Sequence, residues 1–120
     1  MSAIVKGNNV SFEDAAAKVL AFREERDWSQ FHNPKDLAIS ISIEAAELLE
    51  VFQWSGAELG AGAKLDAAKE ELADVIIYCI YLADCLGVDI EGAVEDKVGR
   101  NSKKYPVEKA RGSARKYTEL

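Results

Sequence analysis

The stretch Leu37–Trp54, LAISISIEAAELLEVFQW, decides the fold. Its only charged residues are Glu44, Glu47 and Glu50, and most of its other positions are apolar. At about 100° per residue, an α-helix with this sequence carries apolar side chains nearly all the way round. Such a helix belongs at the centre of an assembly, and a chain of 120 residues has little interior to enclose it. We therefore expect an all-α fold that associates into a homo-oligomer.

Two pairs of acids lie inside the apolar stripes of predicted helices. Glu44 and Glu47 are three residues apart, and the helical wheel places both among apolar side chains. Glu71 and Asp74 repeat this spacing in a second apolar segment, in the stripe that contains Tyr78. The sequence therefore directs four carboxylates towards the apolar side of two helices.

Carboxylates in such stripes require a partner. Burying an unpaired carboxylate costs several kcal/mol or forces its protonation. No Lys or Arg occurs in residues 74–88 to neutralise the second pair. Four carboxylates on two helices predict a divalent cation, and ligation by carboxylates alone favours Mg²⁺, with Mn²⁺ as a substitute. The alternative is that the acids are exposed to solvent, which is the common situation for a single pair.

Cap signals divide the chain into four helices, and no segment has the pattern of a strand. We expect residues 55–63 to form a Gly/Ala-rich loop. After Pro106, residues 107–120 are expected to form a basic tail that is extended or ordered only by contacts, within a single domain that spans residues 1–120. The predicted helices run from Ser11 to Arg26, from an Asn33 cap and Pro34 to Trp54, from Lys64 to Leu86 with Gly87 after it, and from an Asp89 cap to Lys103.

Charge is segregated along the chain, whose formal net charge is -6. Residues 1–96 carry 7 Lys/Arg and 19 Asp/Glu, whereas residues 97–120 carry 8 Lys/Arg and 2 Asp/Glu. The acidic total argues against a nucleic-acid partner. The segregation predicts either a body that holds cations and an end that holds anions, or a solvated basic tail on an acidic helical body.

Nothing in the sequence predicts secretion or a membrane partner. Met1–Asn9 lacks the apolar core of a signal peptide, and the longest apolar run, Val75–Ala83, has nine residues against about 20 for a span.

Cys79 and Cys85 point about 120° apart on one predicted helix, so they are not expected to form a disulfide with each other. Free thiols in a reducing cytoplasm are the expected state.

The two acid pairs form an ExxE…ExxD signature that lies within an ordered set of longer motifs. Together these motifs resemble the all-α nucleotide pyrophosphohydrolases of the MazG-like superfamily, in particular the dCTP pyrophosphatase branch. The resemblance covers about residues 11–120. The motifs are RDWSQFHNPKDL (26–37), EAAELLEVFQW (44–54), EELADVIIY (70–78), KKYP (103–106) and RGSARKYTEL (111–120).

The resemblance implies a four-helix bundle that assembles as a homo-oligomer, with a homotetramer favoured over a dimer. It implies hydrolysis of a nucleoside triphosphate between the α- and β-phosphates, with dCTP or a modified dCTP giving the monophosphate and pyrophosphate in nucleotide-pool sanitation. Mg²⁺ held by Glu44, Glu47, Glu71 and Asp74 is the implied cofactor.

The resemblance also implies roles for residues outside the four acids. Glu50 matches a third acid and is expected either to activate water or to support the ligands. Solvation of the tail and packing of the aromatic residues in a core remain the alternatives. The implied phosphate-binding residues are Lys97, Asn101, Lys104, Tyr105, Arg115 and Lys116, with Arg111 and Tyr117 in the same tail, and the implied base- or sugar-binding residues are Trp28, His32, Trp54 and Tyr78.

One position departs from the pattern of the branch. Vertebrate members carry a histidine in the first helix that helps to read cytosine, and this chain has Val19 there. Two alternatives to dCTP hydrolysis therefore stay open. The first is the same reaction on another pyrimidine or a damaged nucleotide. The second is a non-catalytic helical oligomer that binds nucleotides, of which a nucleic-acid-binding tail is a variant.

Overall fold

The computed structural model describes residues 10–57, 60 and 62–120. Within these ranges the chain is helical and contains no strand, which confirms the all-α prediction. All four predicted helices are present, but the count of four is not confirmed, because the described residues contain a fifth short helix after the fourth. The α-helices are α1 (Phe12–Glu25), α2 (Pro34–Phe52), α3 (Leu65–Leu86), α4 (Ile90–Lys104) and α5 (Val107–Ala110), and 3₁₀ turns occur at Ser29–Phe31, Gly62–Lys64 and Tyr117–Glu119.

The first two helices begin at the predicted caps. The Ser11 hydroxyl accepts a hydrogen bond from the backbone N–H of Asp14 at 3.0 Å. The side-chain oxygen of Asn33 accepts one from the N–H of Asp36 at 2.9 Å, and Pro34 occupies the first helical position. Each cap satisfies an N–H that the helix itself leaves without a partner. The predicted starts of α1 and α2 are therefore confirmed.

The end of α3 and the start of α4 also follow the prediction in position. Gly87 has a φ of 68° in the left-handed region, which glycine adopts without steric cost, and it ends α3. Asp89 lies at the N-cap of α4, but its side chain makes no capping hydrogen bond. The predicted N-cap position of Asp89 is therefore confirmed, and the cap is formed by the backbone alone.

Two other boundaries differ from the prediction. α2 ends at Phe52, and Trp54 lies beyond it with 90% of its surface exposed. Residues 107–120 are not simply extended, because α5 begins directly after Pro106 and a 3₁₀ turn follows near the end of the chain. Proline interrupts the preceding helix because it lacks an N–H, yet its φ suits the start of a new one.

The chain divides into two compact units, residues 1–87 and residues 88–120. In the first unit, α3 is the common partner: α2 packs along it extensively and α1 packs against it as well. Leu37, Ile80 and Tyr81 are the buried core side chains. The second unit contains α4, α5 and the tail. The expectation of a single domain over residues 1–120 stays a prediction.

Apolar side chains remain exposed on both central helices, including Ile39 and Ile43 on α2 and Leu72 and Ile76 on α3. Exposed apolar side chains favour self-association, but the homo-oligomer itself stays a prediction. No helix in the described part of the chain has the length and apolar character needed to cross a membrane. The targeting prediction for residues 1–9 lies outside the described residues.

Candidate metal and nucleotide site

Three of the four predicted metal ligands meet between α2 and α3. Carboxylate oxygens of Glu44, Glu47 and Glu71, one from each residue, all lie within 4.8 Å of one another. The three side chains are half-buried. Asp74, one turn further along α3, is not a member of this group, although its charge acts on the group. The i,i+3 spacing and the contact between the two helices together produce this acidic cluster.

Two oxygens of the cluster have no partner. Oε2 of Glu44 and Oε2 of Glu71 are buried, and neither has a hydrogen-bond partner among the described residues. The ion pairs found in the same ranges join Arg23 and Arg26 to other acids, so none neutralises the cluster. Buried carboxylate oxygens without donors are unfavourable unless a cation or a proton occupies the site.

Two carboxyl groups of the cluster also have raised pKa values. The pKa of Glu44 is raised to about 7, first because its carboxyl group shares a hydrogen bond with Glu47. Partial burial and the charges of Glu47, Asp74 and Glu71 raise it further. Burial followed by the hydrogen bond and charge of Glu47 also raises the pKa of Glu71. These carboxylates therefore compete for protons in the absence of a cation.

The donor set fits a hard divalent cation. Every available ligand is a carboxylate oxygen, which Mg²⁺ and Mn²⁺ prefer over nitrogen or sulfur. Two of those oxygens are buried without a hydrogen-bond partner among the described residues, so they are available to a cation. Glu50, one turn beyond Glu47 on α2, is exposed to solvent, and its role in water activation stays a prediction.

A cavity of about 400 Å³ lies between α1 and α3, with Asp74 in its wall. This volume is within the usual range of about 300–1,000 Å³ for small-molecule sites. Two of the predicted base-binding aromatics, Trp28 and Tyr78, line it, and so does Val19. The structure therefore joins one predicted metal ligand and two predicted base-binding residues in a single cavity.

The other two predicted base-binding residues do not line this cavity. The ring of His32 lies behind the wall residue Tyr81, with the ring centroids 4.8 Å apart. Its Nδ1 is buried without a partner among the described residues, and burial followed by the charge of Arg23 lowers the pKa of His32. Trp54, beyond the end of α2, is exposed to solvent.

Four wall residues were missed by the sequence analysis: Lys18, Phe22, Ile77 and Tyr81. Helical spacing contained a signal for two of them, since Phe22 lies three residues after Val19 and Tyr81 three residues after Tyr78. The position of Val19, singled out as the departure from the branch, therefore also points to Phe22 on the same face of α1. Lys18 and Ile77 line the cavity because of the way α1 packs against α3, and no local pattern in the sequence indicates this packing.

The predicted phosphate-binding residues lie in the second unit. Lys97 and Asn101 are exposed on α4. At its C-terminal end, the Nζ of Lys104 lies 4.9 Å from the centroid of the Tyr117 ring. The rings of Tyr105 and Tyr117 meet edge to face with centroids 5.9 Å apart. Contacts with the tail therefore order this end of α4.

The tail also forms a basic concave surface. Arg115 and Lys116 line a shallow cavity of about 950 Å³ together with Lys109. Glu119 also lines this cavity, so three cationic side chains face one acid, and the remaining excess of positive charge suits an anion. Arg111 lines a separate cavity of about 380 Å³ in the same unit.

Comparison with known proteins identifies the family. The model of the MazG-like family matches residues 39–120, which is most of the chain. The chain belongs to the MazG-like family. It is 44% identical over 115 residues to dCTP pyrophosphatase 1 of Rattus norvegicus and 41% identical to that of Homo sapiens, and each alignment covers 92% of this chain and 68% of the relative. The crystal structure of a pyrophosphatase from Archaeoglobus fulgidus superposes with a TM-score of 0.71 at 37% identity, covering 86% of this chain and 99% of that one.

Proposed function

We propose that this protein is a divalent-metal-dependent nucleoside triphosphate pyrophosphohydrolase. It cleaves between the α- and β-phosphates, with dCTP or a modified dCTP as substrate and dCMP and pyrophosphate as products for dCTP. One observation carries the proposal: Glu44 and Glu71 direct unpartnered buried oxygens into an acidic cluster, while the neighbouring Asp74 lines an aromatic cavity. The dCTP pyrophosphatases among the relatives support this substrate class.

The acidic residues are proposed to hold Mg²⁺. Glu44, Glu47 and Glu71 contribute the clustered oxygens, and Asp74 contributes from the edge of the cavity. Bound Mg²⁺ supplies neutralisation of phosphate oxygens and a more acidic water. Glu50 is proposed to accept a proton from the attacking water or to support the ligands. No Ser or Cys nucleophile is needed, because phosphoryl transfer depends chiefly on positioning and charge stabilisation.

The remaining predicted residues are proposed to bind the nucleotide. Trp28 and Tyr78 stack on the base in the cavity, and each such contact contributes about 1–3 kcal/mol. His32 is proposed to support the base-binding cavity by packing against the wall residue Tyr81. Trp54 is proposed to contact the base or the sugar, as predicted. The phosphate oxygens are bound by Lys97, Asn101, Lys104, Tyr105, Arg115 and Lys116.

The proposed setting of the enzyme follows the same resemblance. A homotetramer is favoured over a dimer, and the exposed apolar side chains of α2 and α3 support self-association. The proposed location is the cytoplasm, where the nucleotide pool is the substrate source. Nucleic acid and membranes are not proposed partners.

Product analysis tests the reaction directly. Purified protein with dCTP and Mg²⁺ is expected to release dCMP and pyrophosphate, whereas release of dCDP and phosphate would contradict the proposal. The Glu71→Gln variant should lose about 100-fold in kcat because it removes one ligand charge. The matched control is Glu70→Gln, which makes the same change at an exposed neighbouring position and should keep full activity.

A second substrate class is favoured by one observation, namely that Val19 lines the cavity where vertebrate relatives carry a histidine. The same reaction on another pyrimidine or a damaged nucleotide is the second candidate. A panel of dNTPs, rNTPs and 5-modified dCTPs measures the preference. Val19→His should raise the kcat/KM ratio of dCTP over dTTP, whereas Ala21→His, exposed on the same helix, should leave it unchanged. Nucleotide binding without any product would favour the non-catalytic oligomer.

A further inference from the structure

Arg23, Glu24 and Asp84 form a charged network next to the aromatic cavity. None of these three residues has a role in the mechanism above. We propose that Arg23 is a positioning residue, which ties α1 to α3 and thereby holds Trp28 and Tyr81 in place as walls of the nucleotide cavity. This inference rests on the proposed function, because that function supplies the ligand of the cavity.

The Arg23 side chain bridges two helices. It is buried, with 7% of its surface exposed, and its Nη2 donates a hydrogen bond to Oδ2 of Asp84 on α3 at 2.8 Å. Its Nε donates to Oε1 of the adjacent Glu24 at 2.8 Å. Both acceptors are charged, but only Asp84 lies on another helix. The Asp84 bond is therefore the one that resists relative movement of α1 and α3.

The same residue contacts two walls of the cavity. The Arg23 carbonyl accepts a hydrogen bond from the backbone N–H of Trp28 at 3.1 Å. Its guanidinium carbon lies 5.7 Å from the centroid of the Tyr81 ring. Tyr81 is 5% exposed and meets Tyr78 edge to face with the ring centroids 6.0 Å apart. A shift of α1 relative to α3 would therefore move Trp28 relative to Tyr81 and change the surface against which a base stacks.

The position of these walls affects substrate binding more than the chemical step. Stacking depends on the separation and the angle of the aromatic faces, so a small displacement weakens the contact with the base. The acidic cluster contains neither Arg23 nor Asp84. Loss of the Arg23–Asp84 bond should therefore raise KM and leave kcat and the Mg²⁺ requirement unchanged.

The two acceptors of Arg23 form a matched pair of variants. Asp84→Asn removes the charged bond between helices, and Glu24→Gln removes the one within α1. In steady-state dCTP hydrolysis, Asp84→Asn should raise KM about three- to fivefold with unchanged kcat, and Glu24→Gln should change neither. Asp84→Glu retains the charge and should recover part of the loss. An equal rise in KM for Glu24→Gln would overturn the proposal.

A structural control separates positioning from general destabilisation. Ile80 is buried and is not a wall of the cavity, so Ile80→Val should lower the melting temperature with little effect on KM. If KM instead rises in proportion to the loss of melting temperature across Ile80→Val and Asp84→Asn, Arg23 has only a structural role.

A second measurement is independent of turnover. Trp54→Phe leaves Trp28 as the only tryptophan, and acrylamide quenching then reports the accessibility of this wall. In that background, Asp84→Asn should raise the quenching constant of Trp28 about twofold, and Glu24→Gln should not. An unchanged constant in Asp84→Asn would overturn the positioning role. If the wild-type protein does not hydrolyse dCTP, the proposed function fails, while the quenching result still decides the role of Arg23.

Discussion

Two charged regions of the first unit differ in how their charges are balanced. At the junction of α1 and α3, the buried guanidinium of Arg23 has two acidic partners, Glu24 and Asp84. At the junction of α2 and α3, three carboxylates face one another, and Glu44 and Glu71 each retain a buried oxygen without a partner. We call the first region balanced because its buried cation faces charges of opposite sign, which is typical of a structural tie. The second region is unbalanced because it contains charges of one sign only, which indicates a site that is completed by a ligand.

The largest expected effect concerns the unbalanced region. Mg²⁺ at 100 times its dissociation constant should stabilise the wild-type protein by about 2.7 kcal/mol, because only the folded state assembles the carboxylate cluster. In Glu44→Gln this stabilisation should largely disappear. Urea unfolding with and without Mg²⁺ measures both values. Glu70→Gln is the control and should respond to Mg²⁺ as the wild type does, and equal stabilisation of Glu44→Gln would contradict the metal assignment.

A smaller effect is expected from the balanced region. Arg23→Ala should lower the free energy of unfolding by about 2 kcal/mol, chiefly because it removes a buried side chain and its packing against Tyr81; the exposed Asp84 is left to water. Arg26→Ala provides the comparison, because Arg26 is exposed and pairs with the exposed Glu25; its cost should not exceed about 1 kcal/mol. Equal losses in the two variants would remove the distinction between a buried tie and a surface pair.

The smallest effect, taken per pH unit, is a pH dependence of the metal-free protein. Glu44 has an unperturbed pKa of 4.5, and the folded protein raises it to about 7. The folded state therefore binds more protons than the unfolded state between these values, so the free energy of unfolding should fall as the pH rises from 4.5 to 7. Glu44→Gln should flatten this slope, and Mg²⁺ should oppose the fall. A wild-type stability that rises across this range without Mg²⁺ would contradict the assignment.

Local signals in the sequence predicted most of the secondary structure. Ser11 and Asn33 cap their helices with side-chain oxygens, and Gly87 ends α3 in the left-handed conformation, because these effects depend on a few neighbouring residues. The tail was predicted less well. Pro106 correctly marked the end of α4, but the same residue also permits α5 to start, and the sequence alone did not decide between these outcomes.

Part of the candidate site could be predicted from the sequence, and part of it depends on how the helices pack. The sequence determined that Glu44 and Glu47 share one face of a helix, and Glu71 and Asp74 one face of another, because three residues span nearly one helical turn. Only the tertiary structure decided that Glu44, Glu47 and Glu71 converge while Asp74 also borders the aromatic cavity.

The bond between Arg23 and Asp84 could not be predicted from the sequence, since the two residues are 61 positions apart. Helical periodicity fixes which way a side chain points from its own axis, and the packing of one helix on another decides which side chain it meets.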